Sequence, residues 1–194
     1  MPPKVKITKQ EILKTALDLV RINGADSINA RAVANALNCS TQPIFSNFED
    51  MDELKSAVIA DAYDLYLAFI NNEVSSGKYP EYKAFGMAYI RFAMEEKELF
   101  KLLFMRDRTG EDLSPSPDFE KSANIIVDAF GVSIETARLI HLEIWACVHG
   151  IGVMIATNFL PLELDLISRI TSDVYQGIRA KYTAEVMKNG FHKN

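Results

Sequence analysis

The chain has 194 residues, of which 48% are apolar and 24% charged, the balance of a globular protein of one domain or two small ones. Its 21 basic residues against 26 acidic ones leave a net charge of −5, which taken whole speaks against a nucleic-acid binder. Two cysteines, Cys39 and Cys147, exclude a disulfide framework and a Cys-rich zinc site and suit a reducing cytoplasm.

The N-terminus lacks the apolar run of a signal peptide. The longest apolar stretch, residues 144–160, is interrupted by His149 and Asn158 and falls short of a membrane span. A cytoplasmic protein without membrane contact is therefore expected.

Apolar residues recur at three and four along nearly the whole length, which predicts an all-α fold. A capping box at Thr8 and Glu11 opens a first helix, whose stripe is Ile12, Leu13, Ala16, Leu17 and Val20. Asn23-Gly24 ends it, with Gly24 suited to a left-handed C′ position. Asn29 caps a short second helix carrying Ala30, Val33, Ala34 and Leu37. Asn38-Cys39-Ser40 is a tight turn, with Ser40 a suitable N-cap for a third helix over residues 41–47. Pro43 falls in its first turn, where no intrahelical donor is lost. Ile44, Phe45 and Phe48 form the predicted apolar side. Asp50 and the acids after it open a long fourth helix, whose stripe is Leu54, Val58, Leu65, Tyr66, Phe69 and Ile70. Further helices are predicted over residues 81–96, 98–105, 119–130, 133–160 and 164–186, with residues 106–118 as a mobile loop. An N-terminal domain of residues 1–50 and a helical domain of residues 51–194 follow from this order.

Charge is unevenly divided. Residues 1–48 hold six basic and three acidic residues, a balance of +3, whereas residues 49–194 hold 15 and 23, a balance of −8. The basic part coincides with a short helix, a three-residue turn and a second short helix, the spacing of a helix–turn–helix. The second helix of such a pair lays its N-terminal side chains against base edges in the major groove. With Ile44, Phe45 and Phe48 inward, Thr41, Gln42, Ser46 and Asn47 face out. Gln pairs with adenine and Thr with a thymine methyl or a polar edge. Thr41, Gln42 and Ser46 are the candidate base contacts. Asn29, Arg31, Ser40, Asn47, Lys55, Lys4 and Lys6 are the candidate backbone contacts. A three-helix packing unit with a polar outside has the same spacing.

These residues resemble the TetR family of transcriptional regulators over about residues 8–63. The resemblance is carried by Ile12-Leu13-x-x-Ala16, Gly24, Ala30-Arg31-Ala32-Val33-Ala34, Asn38-Cys39-Ser40, residues 41–48 (Thr-Gln-Pro-Ile-Phe-Ser-Asn-Phe) and Asp52-Glu53-Leu54. Three positions depart from the family pattern. Phe45 stands where Tyr usually bonds a phosphate, Asn47 where His is common, and Met51 where a phosphate-contacting Lys is usual, with Lys55 one turn later. Further on, Tyr89, Phe92, Leu99, Phe100, Phe104 and the Trp145-x-x-x-His149-Gly150 segment resemble the WHG-type ligand domains of the family. The resemblance implies a homodimeric repressor on a palindromic double-stranded DNA operator, released by a small apolar or amphipathic effector. It also implies a dimer interface from the last two long helices. The departures motivate an alternative, a TetR-like protein with a weakened DNA surface that acts through a protein partner.

Met87, Phe92, Phe104, Met105, His141, Trp145 and His149 are the candidate ligand contacts, from an apolar and adaptable inventory. His141, Trp145 and His149 step by four along one helix and share a face. They form either a pocket wall or a core with satisfied imidazoles. Gly150 and Gly152 are read as permitting close helix approach. His141 and His149 are separated by about 12 Å along the helix, too far for one metal ion. No P-loop, nucleophile elbow or HExxH motif occurs. No enzyme activity, metal or cofactor is expected.

Overall fold

The computed structural model describes residues 7–111, 114 and 117–191, with side chains through residue 184. Among the described residues there are nine α-helices and no strand, so the fold is all-α. The chain divides into two compact units. One runs to Ala68 and takes in Glu95–Arg106; the other holds Phe69–Met94 and the chain from Asp107 onward.

In the first unit, α1 (Lys9–Asn23) begins at a complete capping box. The Thr8 hydroxyl accepts from the Glu11 amide at 3.2 Å, and the Thr8 amide donates to the Glu11 carboxylate at 2.8 Å. The Thr8 amide and hydroxyl, both donating to the Glu11 carboxylate, hold it below its usual range. Ile12, Ala16 and Val20 are fully buried. Gly24 ends the helix, but not in the left-handed helical conformation that was expected. Its φ of 80° and ψ of 175° lie in a region open essentially to glycine alone. A Cβ there would stand 3.1 Å from a Glu98 carboxylate oxygen. A 3-10 turn, Ala25–Ser27, follows, and Asn29 caps α2 (Ala30–Ala36) by accepting from the Ala32 amide at 2.9 Å.

The remaining helices of this unit are α3 (Gln42–Asn47), α4 (Met51–Ser75, through residue 68) and α6 (Lys97–Phe104). At the start of α4, Asp50 accepts from the amides of Asp52 and Glu53 at 2.9 and 2.8 Å, the predicted cap. Leu54 and Val58 are buried, whereas Leu65 and Tyr66 are only half-buried. Helix α6 packs on α1, and its Leu99, Phe100, Leu102 and Leu103 are buried. The Arg21 guanidinium of α1 forks onto Glu96 at 3.0 and 2.8 Å.

The second unit contains α5 (Glu81–Glu95, through residue 94), α7 (Pro117–Phe130), α8 (Ile134–Ala156) and α9 (Leu164–Phe191). Helix α8 packs against α7 and α9. It ends four residues before the predicted limit, because Asn158 adopts φ 55°. The amides of Asn158 and Phe159 then close back onto Ile155 and Met154 at 3.0 and 2.9 Å, a Schellman closure. Helix α7 begins two residues earlier than predicted and α9 extends five residues further.

Helix α8 also corrects the reading of the apolar stretch. It is long and apolar enough to cross a membrane by length and composition, because the run begins well before residue 144. Ala137, Ile140, Ile144, Val148 and Ile151 are buried, so one face of it packs within the unit, and 39% of its apolar window is covered.

Candidate nucleic-acid interface and ligand residues

The turn between α2 and α3 is built by Asn38. Its φ of 52° is left-handed, which Asn tolerates better than other side-chain-bearing residues. This lets the Asn38 amide donate to Asn35 at 3.1 Å and the Cys39 amide donate to Ala34 at 2.9 Å. Both carbonyls at the end of α2 are thereby satisfied, and the chain reverses within three residues. The cap of α3 is Thr41 rather than the expected Ser40, and no side chain bonds the helix start. Pro43 supplies the fixed φ of the first turn.

Ile44 and Phe48 anchor α3, at 0% and 2% exposure, each contributing roughly 1.5–3 kcal/mol of burial. Phe45 does not join them. It is 50% exposed, because one residue is a rotation of about 100° in a helix and only every third or fourth side chain returns to the core. The apolar side predicted for residues 44, 45 and 48 is therefore corrected to Ile44 and Phe48.

Gln42 and Ser46 are exposed and Thr41 is half-buried. The Ser46 hydroxyl donates to the Gln42 carbonyl at 2.9 Å. Asn47 is half-buried and its amide donates to the Pro43 carbonyl at 2.8 Å. Ser40 and Arg31 are exposed. The Asn29 side chain is occupied by its cap and by a 3.4 Å bond to the Ser27 carbonyl. Lys55 is exposed and 3.3 Å from Asp52. Lys4 and Lys6 lie outside the described residues. Lys9, which begins α1, pairs with Glu53 at 2.8 Å and lies over the Phe48 ring at 4.5 Å. The Lys9 bond, with the Glu49 amide, lowers the Glu53 carboxyl.

The ligand candidates divide between the two units. Phe104 and Met105 are in the first, where Phe104 packs edge-on against Tyr66 at 5.2 Å. Met87, Phe92, His141, Trp145 and His149 are in the second. Met87 and Phe92 are core residues with at most 1% exposure.

Both histidines of α8 bond a tyrosine of α5. The Tyr82 hydroxyl and His141 Nδ1 are 2.8 Å apart, and the Tyr89 hydroxyl and His149 Nδ1 are 2.7 Å apart. The two rungs advance together along both helices, so α5 and α8 run in the same direction here. Burial pushes the His141 imidazole down to about 4 and the Tyr82 phenol upward. At neutral pH a neutral phenol therefore shares a hydrogen bond with a neutral imidazole. The Phe119 ring closes on His141 edge-on at 4.6 Å. Burial also lowers His149, whose ring stacks on Trp145 at 4.7 Å. His141 thus has a different aromatic setting from the Trp145–His149 stack, although all three share one helix.

Tyr82 and Phe119 were not singled out from sequence. The seven-residue spacing of Tyr82 and Tyr89 beside the eight-residue spacing of the histidines was the available signal. A second unforeseen feature is the acid Glu73, 8% exposed. Its carboxylate lies 2.9 Å from Arg91 Nε, close enough for charge pairing but outside hydrogen-bond geometry. Among the described residues no group of three or more His, Cys, Asp or Glu could hold a metal.

Residues 82–171 match the family described as tetracyclin repressor-like, C-terminal domain. The match supports the TetR family. It runs from α5 into α9 and contains both tyrosine–histidine rungs; α1 to α4 lie outside it. No curated protein matches the chain.

Proposed function

We propose that this protein is a homodimeric, ligand-responsive transcriptional repressor of the TetR type. Residues 1–50 would form its DNA-binding domain and residues 51–194 its ligand-binding and dimerisation domain. The observation that carries the reading is the union, in one chain, of the Asn38-closed α2–α3 pair with a segment matching the TetR-like C-terminal domain. Helix α3 is anchored by Ile44 and Phe48 and leaves Gln42 and Ser46 exposed, as a helix reading the major groove requires. Thr41, Gln42 and Ser46 contact bases in this reading, and basic residues of the same segment contact phosphates. The regulatory role leaves no step for an enzyme.

Dimerisation is supported by α8. Leu139 and Leu142 are each 50% exposed, and Ala146 and Gly150 continue their face at helical spacing. A Cβ on Gly150 would meet nothing within 4 Å among the described residues, so the close approach expected of this glycine is not made by them. A second copy packing on that face accounts for the apolar exposure and for a glycine in mid-helix. Two-fold symmetry then matches a palindromic operator. An effector bound among the matched helices would act by having different affinities for the DNA-competent and DNA-released states.

The test is retardation of a duplex from the gene's own upstream region by purified protein, with sedimentation of the complex. Selective retardation by two chains per site is expected. Absence of binding at low salt, with a protein partner recovered instead, supports the alternative of a TetR-like protein with a weakened DNA surface.

A further inference from the structure

We propose that Phe45 is a specificity determinant that reads the C5-methyl group of a thymine, so that the half-site contains an A·T pair beside the adenine read by Gln42. This rests on the DNA-binding reading above. Phe45 is 50% exposed on a helix whose apolar anchors, Ile44 and Phe48, are already buried. It has no ring partner among the described residues. It stands three residues after Gln42 and one before Ser46, both exposed, so the three occupy one outward face.

The ring lacks a hydroxyl and cannot bond a phosphate. Its available gain is apolar contact, and the thymine methyl is the one apolar group on the major-groove edge of a base pair. The surroundings favour DNA over an apolar protein surface as the occupant. The ring is framed by Gln42 and Ser46, and residues 1–48 carry a charge of +3 within a chain of −5. The Ser46 hydroxyl spends its proton on the Gln42 carbonyl and so faces the groove as an acceptor, suited to an adenine or cytosine amino group. Gln42 and Phe45 together then describe neighbouring A·T pairs, with Ser46 beside them reading an adenine or a cytosine.

The experiment uses the full chain and the duplex it selects from a random library. Each thymine of a half-site is replaced in turn by deoxyuracil, which removes only the methyl. At one or two positions the wild type is expected to lose about fourfold in affinity, the worth of one buried methyl. Phe45→Ala binds more weakly and shows no difference between thymine and uracil there. Phe45→Leu keeps the difference, and thermal melting of both variants shows that the fold is intact. Uniform indifference of the wild type to uracil overturns the proposal and leaves DNA binding standing, as does undiminished uracil sensitivity in Phe45→Ala. Failure to select any duplex overturns the DNA-binding reading and this inference with it.

Discussion

Protonating His141 should cost the fold stability between about pH 6.5 and 4. The imidazole is largely enclosed by Tyr82 and Phe119, and burial lowers it from 6.5 to about 4. Because the folded value is depressed, the unfolded chain binds the proton more readily in that window. Stability is therefore complete above about 6.5 and falls as pH drops toward 4. The full shift is equivalent to about 3 kcal/mol. The ring is partly solvated, and screening reduces the expected effect to about 1–2 kcal/mol. Urea unfolding of wild type and His141→Gln at pH 7.5, 6.0 and 4.5 isolates this contribution, because the carboxylates of both proteins titrate alike. The wild type should lose about 1–2 kcal/mol more than the variant across the range. Parallel profiles, or an imidazole that titrates near 6.5 by NMR in the folded protein, would refute the buried, tyrosine-bonded state of His141.

Four further outcomes follow from the backbone and the exposed face of α8. Gly24→Ala should destabilise by about 1–3 kcal/mol in chemical unfolding, from its glycine-only conformation and the Glu98 carboxylate 3.1 Å from the new Cβ. At the turn of the helix pair, Asn38→Gly should be neutral or stabilising by less than about 1 kcal/mol. Asn38→Val should cost about 1–2 kcal/mol through the left-handed φ of 52°, with a matching loss of melting temperature. Leu142→Glu, at a half-exposed position, should leave melting of the monomer unchanged while sedimentation shows loss of the dimer.

Much of the local structure was legible because its causes are local. The Thr8–Glu11 box, the Asn29 and Asp50 caps and the stop at Gly24 each depend on a few adjacent residues. The phase of α3 was not legible, since six residues give fewer than two turns. An apolar Phe45 beside Ile44 then looked like core, although it turns outward. The end of α8 was expected at residue 160, but Asn158 closes the helix first by adopting the left-handed conformation. The histidines were read along their own helix as one face with Trp145. Their hydrogen bonds instead run across to Tyr82 and Tyr89, a pairing between distant segments that helical spacing alone does not reveal.

The central claim is that α3 reads DNA through its exposed polar residues. Selection of bound duplexes from a random library by wild type and by Gln42→Ala tests it most directly. The wild type should enrich a palindrome. The variant should bind with preference relaxed at one symmetric pair of A·T positions, a discrimination of about 1–3 kcal/mol at each. Enrichment of the same motif with the same strength by Gln42→Ala, or of no motif by the wild type, would contradict it.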